Sequence, residues 1–139
     1  MKIVIDTNVV LDTLGVRQPF FEKSNAVMQL VAQGKIDGSI TANTVTDIAY
    51  LMRKYMSANA IKGALEGLMD MLEVLEVNRN MCYQALDSPM IDFEDALLAA
   101  CANRWDADFI VTRNVKDFEG SPVSAISPEG FLNSVVEFI

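Results

Sequence analysis

The sequence predicts an α/β fold, a parallel sheet of four to five short strands with helices on both faces. Two observations carry this. Short apolar or β-branched runs at Lys2 to Asp6, Ser39 to Thr41, Val74 to Val77, Phe109 to Thr112 and Val123 to Ile126 alternate with longer segments of helical period. One of those segments, Asp92 to Trp105, is apolar almost all round, as a helix buried at the centre of such a fold would be.

The elements follow in order. Lys2 to Asp6 is a strand ended by an acid, and Asn8 to Leu14 is a short helix stopped at Gly15. Pro19 opens a second helix, in which Phe20, Val27, Leu30 and Val31 share a face until Gly34. After the strand at Ser39 to Thr41, Val45, Ile48, Ala49, Met52 and Met56 repeat at helical spacing over Asn43 to Met56. Ser57 then caps a helix carrying Ile61, Leu65, Leu68 and Leu72, making a helical hairpin. A third strand at Val74 to Val77 precedes a short helix, Met81 to Leu86, that must stop before Pro89. The central helix, the clear strand at Phe109 to Thr112, a polar turn, a strand near Val123 to Ile126 and a last helix opened by Ser127-Pro128 complete the chain.

At 139 residues the chain is the size of one domain. No run of ~18 apolar residues is present to span a bilayer, and the first residues read as a strand and not as a signal peptide, so a cytoplasmic protein is expected. Cys82 and Cys101 are far apart and fit no metal-ligand spacing, so both are expected as structural thiols. There is no histidine, which excludes imidazole general-base catalysis and Ser-His-Asp triads. Nineteen acids against eleven bases give a net charge of −8, which repels a polyanion unless the acids converge on a cleft that binds cations.

They are placed to do so. In open parallel sheets, ligands bind beyond the carboxyl ends of the strands. Asp6 ends the first strand, Asp47 lies on the first turns of the helix after the second, and Asp92, Glu94 and Asp95 open the central helix. Asn114 and Asp117 follow the strand at Phe109 to Thr112. An all-oxygen donor set suits Mg²⁺ or Mn²⁺, and such ions lower the pKa of a coordinated water, so that no histidine is needed to hydrolyse a phosphodiester. Capping is the alternative role for the acids near helix starts, Thr44-x-x-Asp47 and Asp92-x-x-Asp95. Asp6 differs, because an acid ending an apolar strand has to be paired or ligated. Asp12, on a helix face, is expected to be solvated.

The blocks Val4-Ile5-Asp6-Thr7-Asn8, Ile40-Thr41-Ala42 to Asp47-Ile48, Asp92-Phe93-Glu94-Asp95-Ala96-Leu97-Leu98-Ala99-Ala100 and Ile110-Val111-Thr112-Arg113-Asn114-Val115-Lys116-Asp117-Phe118 together resemble the ordered motifs of PIN domains. The likeness is to the VapC-like toxin ribonucleases of bacterial type II toxin–antitoxin systems in particular. Four motifs in order are specific where each alone would be weak. The resemblance implies a three-layer α/β/α domain over residues 1–139 that binds Mg²⁺ or Mn²⁺ and cuts RNA. Asp6 and Asp95 match family metal ligands. Asp47 stands where most of these toxins carry Glu, one methylene longer, and Asn114 stands where Asp is frequent. Asp117 is placed to take over that role or to position its loop, and Asp92 is either a further ligand or a helix cap. Asp6, Asp47, Asp95 and Asp117 are therefore the catalytic candidates, with Asp92 and Asn114 as additional ligand candidates.

Thr7, Asn8 and Thr112 are candidates to orient the acids by hydrogen bonding. Arg113 and Lys116 are the candidates for phosphate contact, ahead of Arg53 and Lys54. The resemblance also implies a small antitoxin partner and a homodimer, which we expect to form through the helical hairpin. Two rivals exist. One is a PIN-like domain, weak or inactive, that only binds RNA or protein. The other is a carboxylate phosphotransfer protein, which Asp6-Thr7-Asn8 disfavours because it lacks a paired acid and no lysine ends the strand at Phe109 to Thr112.

Overall fold

The computed structural model describes residues 1–135 and 137. Five strands, β1 (Lys2–Ile5), β2 (Asp37–Thr41), β3 (Glu73–Leu75), β4 (Phe109–Val111) and β5 (Ala125–Ile126), form one sheet in the order β3-β2-β1-β4-β5. Every pairing is parallel, with Ile3 opposite Gly38 on one side and Phe109 on the other. The expected α/β/α architecture is observed. Helices α1 (Thr7–Leu14), α2 (Phe21–Ala32), α3 (Ala42–Met52), α4 (Ala58–Met71) and α7 (Pro128–Ser134) cover one face, and α5 (Arg79–Asp87) and α6 (Phe93–Arg104) cover the other.

The layering follows from strand alternation. Along β1, Ile3 and Ile5 point into the core beneath α1 to α4, while Val4 points into the core beneath α5 and α6. All three are fully buried, as a sheet covered on both faces requires. Helix α6 is buried from Ala96 to Ala102, which explains its lack of a polar stripe. Helix starts are marked by side-chain caps. Thr41, Ser57, Asn78, Asp92 and Ser127 accept hydrogen bonds from the first-turn amides of α3, α4, α5, α6 and α7. On β2, Gly38 permits a close approach, since a Cβ there would lie 2.6 Å from a Val31 methyl and 2.9 Å from a Leu72 methyl.

Three local expectations change. Helix α3 ends at Met52 and not at Met56, because the chain turns at Arg53 to Met56 so that Ser57 can cap α4, and Met56 packs on the core from within that turn. The polar turn after β4 holds a 3-10 turn, Val115–Phe118, anchored by buried Phe118. Asp12 is not solvated. Its side chain is 0% exposed, enclosed by Arg17, Ser24 and Arg113.

Candidate active site

Strand β1 is central, and the chain leaves it toward β2 on one side while β4 lies on the other. The crevice between the ends of β1 and β4 is thus the switch point at which doubly wound sheets bind ligands. Asp6 stands there, at the end of β1 and as the N-cap of α1. A cleft of about 440 Å³ opens from it, walled by residues of α1, α3, α6 and the segment after β4. Asp6, Thr7, Asn8, Asp47, Glu94, Asp95, Arg113 and Asn114 all face this cleft.

The Asp6 carboxylate is held at three points. Oδ1 accepts the Thr7 backbone N–H at 2.8 Å, and Oδ2 accepts Thr112 Oγ1 at 2.8 Å and Asn8 Nδ2 at 3.2 Å. Thr112, fully buried behind Asp6, also accepts the Asn114 backbone N–H at 3.0 Å, so the strand end, the carboxylate and the loop after β4 are tied together. Asn8 additionally accepts the Arg113 backbone N–H at 3.3 Å. Thr7 Oγ1 reaches Thr44 Oγ1 at 3.1 Å, and Thr44 is bonded to Thr41, which couples α1 to the start of α3. Burial pushes the Asp6 pKa up, while the bonds from Thr112, Thr7 and Asn8 and the Arg113 charge pull it back down.

Asp95 projects from the first turn of α6. Its pKa is pushed up to about 6, first by burial and then by the charges of Asp92, Asp6, Asp117 and Glu94. Carboxylates from the end of β1, the start of α6 and the turn after β4 thus sense one another. Asp92 is the N-cap of α6, with Oδ1 accepting the Asp95 backbone N–H at 2.9 Å, and it lies outside the cleft lining. Asp47 lines the cleft from α3 and is exposed. Asn114 lines the cleft directly, whereas Asp117 is exposed on the 3-10 turn beyond it. Lys116 is exposed on the same turn, outside the lining.

The charge pattern bears on a cation. Among the described residues no group of three acid or cysteine side chains is drawn tightly enough to form a ready-made cage. Mg²⁺ does not require one, since it is commonly held by one or two carboxylates with water and substrate phosphate completing the shell. Asp6 and Asp95 could supply that pair, and the charges of Asp92, Asp6, Asp117 and Glu94, which add to burial in raising Asp95, are what a divalent cation would offset. The donor set therefore fits a hard cation.

Sequence reasoning passed over Arg17, Asn43 and Thr44 as parts of the cleft wall, and it placed Glu94 among the converging acids without giving it a role. Glu94 adjoins Asp95, and its position in the first turn of α6 was a usable signal. Arg17 follows a helix stop and carries no local signal of its destination.

The carboxylate-lined crevice lies at the switch point of a five-stranded parallel sheet, the place where an α/β domain of this topology carries its site. The chain belongs to the PIN-domain family, whose model, described as "PIN domain", matches residues 2–116. No curated protein matches the sequence. Solved structures share the fold at low identity. The VapBC2 complex of Rickettsia felis, bound to a DNA fragment from its promoter, includes a chain 17% identical with a TM-score of 0.70, covering 91% of this chain and 98% of that one. FitAcB of Neisseria gonorrhoeae gives 19% identity and a TM-score of 0.70, covering 91% and 98%. VapC20 of Mycobacterium tuberculosis, described as a sarcin–ricin loop cleaving toxin, gives 14% identity and a TM-score of 0.61, covering 78% and 86%. No helix among the described residues is long and apolar enough to cross a membrane.

Proposed function

We propose that the chain acts as a single PIN domain, a Mg²⁺- or Mn²⁺-dependent endoribonuclease that serves as the toxin of a toxin–antitoxin pair in the cytoplasm. The observation that carries this is the convergence of Asp6 and Asp95 at the sheet's switch point, with Asp95 raised by burial and then by the surrounding carboxylates. Membership of the PIN family and the shared fold of the VapBC, FitAcB and VapC20 proteins support it.

In this reading Asp6 and Asp95 hold the cation, with Asp47 and Asn114 reaching it from the facing walls of the cleft. When bound, the ion supplies Lewis-acid activation for phosphodiester hydrolysis. The chain's own residues do the positioning. Thr112, Asn8 and the Thr7 amide fix both Asp6 oxygens, so the carboxylate does not have to reorganise on binding. Asp92 and Asp117 surround the site as outer charges that draw cations in, with Asp92 also fixing the start of α6. Arg113, on the cleft wall, and Lys116, on the adjoining turn, contact RNA phosphates. A small antitoxin occludes the cleft, and α3 with α4 forms a homodimer contact that light scattering would show as twice the chain mass.

Two observations favour a second reading, a domain with weak or no catalysis that binds RNA or protein. Asp47 is exposed, and no three described acids form a tight cluster. Titration with Mn²⁺ and expression in a bacterial host separate the two. The nuclease reading expects Mn²⁺ to bind the wild-type chain, Asp6→Asn to abolish that binding, and only the wild type to arrest growth. Equal binding and equal growth for both chains would refute it.

A further inference from the structure

Helix α1 carries a carboxylate that the cation site leaves out. Asp12 is 0% exposed, and an aspartate is buried to that degree only when paired. Its Oδ2 accepts Arg113 Nε at 2.8 Å and Ser24 Oγ at 3.0 Å, and its Oδ1 accepts Arg113 Nη2 at 3.2 Å and Arg17 Nε at 3.1 Å. Four segments thus meet on one carboxylate. Arg113 also lies 3.9 Å above the Phe20 ring, and Arg17 Nη2 donates to the Asn8 carbonyl at 3.2 Å. Val16, just before Arg17, sits at φ 48°, a left-handed conformation that β-branched residues avoid, so the surrounding structure holds the turn that delivers Arg17.

Two guanidinium groups against one carboxylate leave this cluster with a net positive charge in a chain of net charge −8. The arginines are not consumed by the pairing. Their side chains remain 44% and 25% exposed for Arg17 and Arg113, both line the cleft that holds Asp6 and Asp95, and Nη1 of each keeps its hydrogens for an outside acceptor. The anchor also keeps them off the acids. Freed from Asp12, two mobile guanidiniums beside Asp6 and Asp95 would pair with those carboxylates and compete with a cation.

We infer that Asp12 is the buried anchor of a two-arginine phosphate clamp, in which Arg17 and Arg113 grip a phosphodiester of the RNA on the rim of the acidic cleft. Asp12 is a positioning residue, and Arg17 is a substrate contact beyond those named above. The inference rests on the ribonuclease reading for the identity of the ligand. A phosphodiester carries the single negative charge that the cluster lacks.

The test measures anisotropy of a fluorescein-labelled single-stranded RNA in an Asp6→Asn background across a salt series, with Mn²⁺ binding followed separately in chains that keep Asp6. Arg17→Gln and Arg113→Gln are each expected to weaken RNA binding about tenfold and to reduce the salt slope by about 0.7, the value for one single-strand phosphate contact. Mn²⁺ affinity in both should stay within about twofold of wild type. Asp12→Asn is expected to weaken Mn²⁺ binding about tenfold through the released arginines, a loss that a purely structural role would not produce in a chain whose circular dichroism is unchanged. If Asp12→Asn does not fold, the two arginine variants decide the matter alone. RNA affinities within twofold of the parent with unchanged slopes, or no RNA binding by the parent, would overturn the clamp. If the slopes fall but no chain ever cuts RNA, the ribonuclease reading fails and the clamp stands.

Discussion

Replacing Asp95 with asparagine should make the metal-free protein more stable at neutral pH, although it removes a residue of the proposed active site. In the fold the carboxyl titrates at about 6 against an ordinary value of 3.8, so the folded state holds its proton more tightly than the unfolded chain. An acid of this kind stabilises the fold fully below about pH 4 and loses that contribution as pH rises through about 6, so at pH 7.5 ionised Asp95 opposes folding. At 1.36 kcal/mol for each tenfold change, the ceiling is ~3 kcal/mol. Asp95 is only partly buried, however, and solvent screening together with the favourable α6 N-terminus reduces the net to about 1 kcal/mol. For a chain of this size that is an increase in Tm of roughly 3–5 °C, measurable by thermal scanning in EDTA at pH 7.5. At pH 4.5 the gain should shrink to about a third, and by about pH 3.5 it should be nearly gone. With excess Mn²⁺ the order should reverse, because the ion stabilises only the chain that binds it. If Asp95→Asn were no more stable than wild type in EDTA at pH 7.5, the account of a buried carboxylate among like charges would be refuted.

Two further outcomes are expected. Gly38→Ala drives a methyl to within 2.6 Å of the stiff Val31 side chain, and urea unfolding should show a loss of about 1–3 kcal/mol. Thr112→Val deprives Asp6 of a 2.8 Å hydrogen bond and leaves the Asn114 amide unpartnered, so stability should fall by about 1–3 kcal/mol. The pH midpoint for Mn²⁺ binding should also move up, since that bond pulls the Asp6 pKa down, and an unmoved midpoint would count against the role given to Thr112.

The sheet was legible because its strands are short β-branched runs and its central helix is apolar all round, signals that depend on local sequence alone. Asp6 was legible for the same reason, as an acid closing a buried strand. Asp12 was not. It lies in a short helix that mixes apolar and polar residues, and although Arg17 is five positions on, Arg113, which holds both of its oxygens, lies 101 positions away, so the local sequence does not distinguish it from a solvated acid. The early end of α3 was hidden because Met56 continues the helical spacing of its apolar residues while packing from a turn. Asp92 and Asp117 read alike as site acids in the sequence. The fold separates them from the cleft wall, one capping α6 and the other exposed on a 3-10 turn whose anchor, Phe118, is apolar and gives no sign of where its neighbours point.

The central claim is that the acids at the switch point cut RNA with a divalent cation. Incubation of a mixed pool of single-stranded and structured RNA with the purified wild-type and Asp6→Asn chains, in Mn²⁺ and in EDTA, with sequencing of the new ends, addresses it most directly. The account predicts discrete internal cleavages for the wild type in Mn²⁺ alone. An intact pool, or equal cleavage by Asp6→Asn or in EDTA, would contradict it.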